Sequence, residues 1–581
     1  MRIGIPKFYK VKRATARFDP MPQIRRGFAA YRALSRKERM IFSGVLALTV
    51  VGIIGGFITL YLRATVPLPT YGGSITEGVV GKPFAINPLI PDGSPADSAL
   101  EQLIYSALLK ADGKGGVMPD LAEEYEILEN GKQYIVSLRP SLKWHDNKPL
   151  TTEDILFTAQ LIKNPESNHP LYSLYRDIEV EILTPRSISF TLPKTFAFFP
   201  QYLTFKIIPK HIWGSIPVQN FAFSEYSLKP IGSGPYTFKK IISAKDGTPL
   251  QYLLEAAQTY YLPGPYLRSF SVRFFSSLDE AMNALRKKEI GSLAEVPAAT
   301  FSQDSPDNFQ KINPVIPQSF GLFFNLEAQP LEDKVMRQAI NYALPLSVFF
   351  ENRGKGAIER IDSPIWFIPP EQDIFDAGES EQLLSSLGWK DSDNDGIKDK
   401  KLKKKDKNTT PLSLSLTLLD TQEMQAVSSF IKEYLAKVGI DLALKPIDVN
   451  EFHSRLRSSS FQVLVVGELP TSGYYPDLYP FFHSSQKPPQ GMNFSGYANK
   501  NIDALLTGLR DSLDPATRDL DYQEIADILK TDLPAIFLYR PTLTWLVQKT
   551  INIPPTDFLN SAEERFSRVN EWYLFTKRTF K

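Results

Sequence analysis

Cysteine is absent from all 581 residues. That single absence removes disulfides, thiolate nucleophiles and cysteine-ligated metals together. Histidine is scarce. His145, His169, His211, His453 and His483 are scattered, and none stands at the H-E-x-x-H spacing of a zinc hydrolase. Neither a G-x-S-x-G elbow nor a phosphate-cradling P-loop occurs. Carboxylates are plentiful, but their order along the chain does not say which approach one another. We therefore read the chain as a binder and not an enzyme. Excess positive charge is missing from most of it as well. Residues 64–581 carry a net charge of about −9, which repels phosphate backbones and excludes nucleic acid as a partner.

What the chain does have begins at Met40–Leu62, MIFSGVLALTVVGIIGGFITLYL, a run without a charge. It is long enough to cross a hydrocarbon core of about 30 Å as a helix. Twelve Lys and Arg against two acids precede it. Positive charge of that density holds a flank in the cytoplasm and sends the rest of the chain across the membrane. A cleaved signal peptide is the competing reading, but the apolar run exceeds the usual h-region and no small-x-small site comes directly after it. The expectation is a single-pass plasma-membrane protein. Its basic tail, 1–39, stays inside near anionic lipid, residues 40–62 span, 63–71 link, and the large part is extracellular or periplasmic.

Beyond the linker the sequence predicts a helix over the second half of 138–164, with Thr151 or Thr152 as N-cap, further helices over 277–288, 332–344, 421–438 and 449–458, and strands over 134–138, 412–419, 440–446, 461–467 and 537–546. The β-α-β-α-β alternation from Leu412 to Gly467 argues for a largely parallel sheet with ligands at its carboxyl ends, which points at Glu468–Asp477.

Four segments then carry a resemblance. LRPSLKWHDNKPLTTEDILFT (Leu138–Thr158), PIGSGPYTF (Pro230–Phe238), GLFFNLEAQPLEDKVMRQAINYAL (Gly321–Leu344), and YYPDLYPFFHSSQ with MNFSGYANKNIDALL (Tyr474–Gln486, Met492–Leu506) stand in this order. Together the chain resembles the family 5 extracellular solute-binding proteins, the peptide- and nickel-type receptors of ABC importers. The resemblance implies an α/β, two-lobed periplasmic-binding-protein-like fold of type II (cluster C) with an inserted subdomain. Lobe I would be 72–320 plus 541–581, with the insertion near 100–225, and lobe II would be 321–540. SFGLFFNL and the stretch near Leu533–Arg540 would be the two crossovers. Implied partners are an ABC permease with its ATPase subunits and a peptide or similar solute, with the receptor a monomer. The alternative is an envelope scaffold that uses the same fold without transport.

Candidate solute contacts are Ser472, Tyr474, Tyr475, Asp477, Trp144 and Asn325. Ser472 stands where peptide-binding members of the family carry an Asp for the peptide ammonium, so this chain departs from the pattern there. Tyr474 and Tyr475 offer rings for stacking, or pack the rim; Asp477 orients the loop. Trp144 reads equally as a packing residue. No cofactor is expected. DSDNDGIKD supplies Asp391, Asp393, Asp395 and Asp399 at loop positions 1, 3, 5 and 9, with Gly396 at 6. That is the front of a calcium loop, although Leu402 stands where position 12 needs a Glu. Any Ca2+ here would be structural.

Overall fold

The computed structural model describes residues 29–90, 93–296, 308–351, 358–401, 408–467, 473 and 475–580. It divides into two compact units. The first is drawn from Met1–Pro69 and Thr576–Lys581. Its main element is the helix Arg36–Ala64, opened by Ser35 and Glu38 in a reciprocal capping box. None of its residues is buried, and its length and hydropathy suit a membrane span. Residues 65–70, read above as linker, instead form a strand, Thr65–Thr70, paired with the C-terminal strand Phe575–Phe580. The last residues therefore group with the helix rather than with the lobe to which 541–581 was assigned.

The second unit, Thr70–Phe575, holds two principal sheets. The seven-stranded one runs Phe309–Ile312, Trp545–Gln548, Ser292–Leu293, Ser74–Val80, Ser269–Phe275, Pro249–Ala256, Tyr236–Ser243. A four-stranded antiparallel sheet, Ala122–Leu128, Gln133–Leu138, Ser187–Thr191, Glu179–Thr184, joins its core and forms the inserted layer. The six-stranded sheet runs Ile358–Arg360, Ala535–Pro541, Phe320–Phe324, Val463–Gly467, Ser413–Leu419, Asp441–Ile447. Only its last three strands are parallel to one another. The other three run antiparallel, so the sheet is mixed where the alternation suggested a largely parallel one.

Two connections pass between these sheets, and they lie beside the expected places. Phe320–Phe324 and Ala535–Pro541 are both strands of the six-stranded sheet. The crossovers are residues 313–319 and 542–544. They run together, Val315 bridging Thr542 and Phe558. The run 537–546, expected as one strand, breaks after Pro541. Proline has no N–H to give a ladder, and the chain resumes at Trp545 in the other sheet. One apolar run thus serves two lobes.

Candidate functional site

Two of the sequence signatures meet. The His145 ring is held between Gly232 and Gly234: Nε2–H donates to the Gly234 carbonyl at 3.0 Å and Nδ1 accepts from the Gly232 N–H at 3.3 Å, which assigns the tautomer. Burial pushes the imidazole down to about 4, so it is neutral at physiological pH. A Cβ at Gly232 would lie 2.0 Å from the Ile104 carbonyl oxygen, so only glycine lets this turn sit on the end of the helix Pro95–Ile104. Trp144 is fully buried in the same core. A side chain with no exposed surface offers nothing to a solute, so here the packing reading replaces that of a candidate contact.

Across the crossovers, Asn325 also turns inward. Its amide donates to the carbonyls of Phe461 (2.9 Å) and Ser459 (3.2 Å), and its oxygen accepts from the Glu327 N–H at 3.0 Å. All three polar functions are used within the lobe, so Asn325 ties two loops together.

Asp477 receives the guanidinium of Arg510 side-on, at 3.0 Å from Nε and 2.6 Å from Nη2, and accepts the Tyr479 N–H at 3.2 Å. Paired, parallel bonds of this kind fix both partners. Arg510 lies 3.9 Å over the Tyr479 ring, and its carbonyl accepts the N–H of Ala197, in the segment after Ser187–Thr191, at 2.7 Å. Tyr475 stacks on Tyr522, with centroids 5.6 Å apart, and meets Phe367 edge-on. Ser472 and Tyr474 lie outside the described residues.

Beyond Val463–Gly467, Gly473 touches the opposite lobe. The Gly473 N–H donates to Oδ1 of Asn560 at 2.5 Å. The Asn560 amide is aimed by Glu564, whose carboxylate accepts its Nδ2 at 3.0 and 3.1 Å and its backbone N–H at 2.8 Å. A Cβ at Gly473, which sits at φ +78°, would fall on the Gln201 amide. Trp366 and Phe558 meet with centroids 5.1 Å apart near the crossovers. Arg518 lies 4.9 Å from the Phe198 ring, which belongs to the core of the six-stranded lobe.

Behind Asn560 lies a group of charges that sequence reasoning missed. Burial, then Asp97, raises Glu101 to about 8, against the opposing pull of Lys206. Burial lowers Lys206 and raises Glu564. Asp120 accepts the Tyr261 hydroxyl at 2.8 Å and lies 3.9 Å from Lys110. Glu101 is a carboxylate among the buried Leu100, Leu103 and Ile104 of one helix, and that mismatch was the available signal. At the carboxyl ends of Ser413–Leu419 and Val463–Gly467 opens a cavity of about 460 Å³ lined largely by Leu419, Phe452, Leu456, Val466 and Met492.

The acidic loop brings Asp391, Asp393 and Asp395 together, their carboxylate oxygens within 4.8 Å of one another and exposed. Asp399 does not join them. It is buried and accepts the Ser392 N–H (2.9 Å) and hydroxyl (2.7 Å).

These features have relatives. Residues 116–493 match the model of the middle region of the bacterial extracellular solute-binding proteins, family 5. The oligopeptide-binding protein AppA of Bacillus subtilis is 30% identical over 493 residues, spanning 81% of this chain and 87% of that protein. The structure of that AppA in complex with a nonapeptide superposes with a TM-score of 0.66 at 26% identity, covering 87% of this chain and all of the other. NikZ of Campylobacter jejuni, in complex with Ni(L-His), shares the fold at a TM-score of 0.67 and 24% identity, covering 86% of this chain and 99% of that one. By the family match, the extent of the similarity and the two-lobed architecture, the chain belongs to the bacterial extracellular solute-binding proteins of family 5.

Proposed function

We propose that this chain is the solute receptor of an ABC importer, carried outside the cell on its own membrane-spanning helix, and that it closes two lobes around a peptide or a similar oligomeric solute. The contact between Gly473 and Asn560 carries the reading. It joins Gly473, which lies beyond Val463–Gly467 in the chain, to the opposite lobe beside the paired crossovers 313–319 and 542–544, where the Leu559 N–H donates to the Val315 carbonyl at 2.9 Å. Two strands that cross together form a hinge, and a solute touching both lobes favours the closed arrangement by its extra contacts there. The closed form is what a permease with its ATPase subunits would recognise. The apolar cavity beside Gly467 suits a hydrophobic side chain. A relative that binds a nonapeptide supports a peptide ligand.

The anchor is the helix Arg36–Ala64, with Met1–Arg39 inside and uncleaved. Its support is the uncharged run and the strongly basic flank. Asp391, Asp393 and Asp395, with Gly396 at φ +89° making the turn, would hold a structural Ca2+.

Calorimetry of the full chain in detergent against a peptide library tests the binding role. Saturable heat on adding peptide supports it, and its absence for peptides of every length would overturn it. Protease added to intact cells tests the anchor. It should remove the large part and leave a small membrane-bound stub, whereas a mature amino terminus near Thr65–Gly73 would remove the anchor from the account.

A further inference from the structure

Two segments far apart in the chain are tied at one point. Strand Phe575–Phe580 pairs with Thr65–Thr70, the strand that begins where the apolar helix stops. Arg578 clasps the junction. Its guanidinium donates to the Leu62 carbonyl at 3.0 Å, the Thr65 carbonyl at 2.9 Å and the Thr65 hydroxyl at 2.9 Å. The Thr65 hydroxyl in turn donates to the Tyr61 carbonyl at 2.6 Å. The last carbonyls of a helix lack partners within it and attract cations, so these bonds hold the C-terminal strand beside the final helical turn.

Phe580 is thereby brought to Tyr61. Their rings meet edge-on with centroids 6.5 Å apart. Yet Phe580 is 77% exposed and Tyr61 48% exposed. Tyr61 belongs to the uncharged run and stands two residues before its boundary at Arg63. Whatever medium surrounds Tyr61 must also surround Phe580. Aromatic rings concentrate at the boundary between acyl chains and head groups, and cations near the surface are drawn to anionic lipid. Arg63 and Lys577 are both exposed in the same unit.

We propose that the C-terminal strand is a second membrane-contacting element: Phe580 enters the outer interface of the bilayer beside Tyr61, with Arg63 and Lys577 among anionic head groups. This rests on the reading that Arg36–Ala64 spans the membrane. The ribbon continues directly from that helix, which is what selects lipid as the occupant.

The cysteine-free chain allows a direct test. Phe580→Cys, Leu48→Cys and Phe223→Cys each create a sole thiol. Leu48 lies within the helix, and Phe223 is 84% exposed in the other unit. Each full-length variant is labelled with a fluorophore, reconstituted into phosphatidylcholine–phosphatidylglycerol vesicles and quenched with nitroxide-bearing lipid. Quenching at positions 48 and 580, several-fold above that at 223, is expected. Quenching at 48 with none at 580 would overturn the proposal and leave the anchor standing. No quenching at 48 would overturn the anchor and the proposal together. A spontaneous disulfide dimer of Phe580→Cys without lipid quenching would assign the surface to a second copy and overturn the proposal as well.

Discussion

The backbone N–H of Gly473 donates to the side-chain oxygen of Asn560, and Glu564 holds that amide in the orientation the bond requires. The bond joins the two lobes that we propose close on a solute, so its loss is expected to appear in solute affinity. A neutral hydrogen bond contributes about 0.5–1.5 kcal/mol net. Asn560→Ala should weaken solute binding by about two- to tenfold, with little change in Tm without solute. Gly473→Ala adds a Cβ against Gln201 at a positive φ and should weaken it at least as much. Calorimetry and a thermal melt on each variant check this, and equal affinity in all three proteins would remove the contact from the closing mechanism.

Ser472 predicts a ligand preference. A charged hydrogen bond to a peptide ammonium is worth roughly 1.5–3 kcal/mol, and a serine standing at the proposed place of the family's Asp would forgo most of it. Ser472→Asp should therefore tighten binding of free di- and tripeptides by about ten- to a hundredfold, and leave peptides with blocked amino termini unchanged. Tight wild-type binding of short peptides that depends on a free amino terminus would contradict the alignment of this loop.

The four signatures, their order and most helices were legible because they are local: apolar spacing, capping residues and Gly/Pro turns. The docking of His145 between Gly232 and Gly234 was not, although both segments were singled out, since no spacing rule links positions so far apart. The pairing of Thr65–Thr70 with Phe575–Phe580 joins segments about 500 residues apart, and a short strand carries no mark of its partner. Ala535–Pro541 and Trp545–Gln548 read as one strand because hydrophobic alternation says that a strand forms, not in which sheet. Of the candidate contacts, Tyr475 and Asp477 were singled out on a loop, but their partners Tyr522 and Arg510 come from helices whose amphipathic faces looked like ordinary packing. Asn560 sits in a loop and Glu564 in the short 3-10 helix Ala562–Phe566, both too brief for a periodicity to read.

Two half-buried groups set opposite limits on the pH range of stability. His145 is depressed from 6.5 to about 4 by burial. Its contribution is present above 6.5 and is lost as pH falls through 4, at most about 3 kcal/mol. Glu101 is raised from 4.5 to about 8, so its contribution is present below 4.5 and is lost as pH rises through 8. Thermal melts of wild type and Glu101→Gln across this window should diverge, the variant gaining Tm relative to wild type toward the alkaline end. A constant difference would contradict the raised Glu101 carboxyl.

Asp391, Asp393 and Asp395 predict a calcium effect. Extracellular sites of this kind bind at about 10⁻⁴–10⁻³ M, and a ligand that binds only the folded state raises stability. Millimolar Ca2+ should raise Tm by about 2 °C, and Asp393→Asn should abolish the gain while leaving solute affinity unchanged. An identical Tm in Ca2+ and in chelator would empty this site.

Closure on a solute is the central claim, and the distance between the lobes reads it directly. Phe223, in the lobe bearing the inserted layer, and Leu520, on the helix Pro515–Asp532 of the other, are 84% and 74% exposed. In a chain without cysteine, Phe223→Cys and Leu520→Cys together give two spin labels and no others. Electron–electron double resonance on the full-length protein in detergent should show a broad distribution without solute. A peptide that calorimetry shows to bind should convert it to a single narrow one. A saturating peptide that binds and leaves the distribution unchanged would contradict the account.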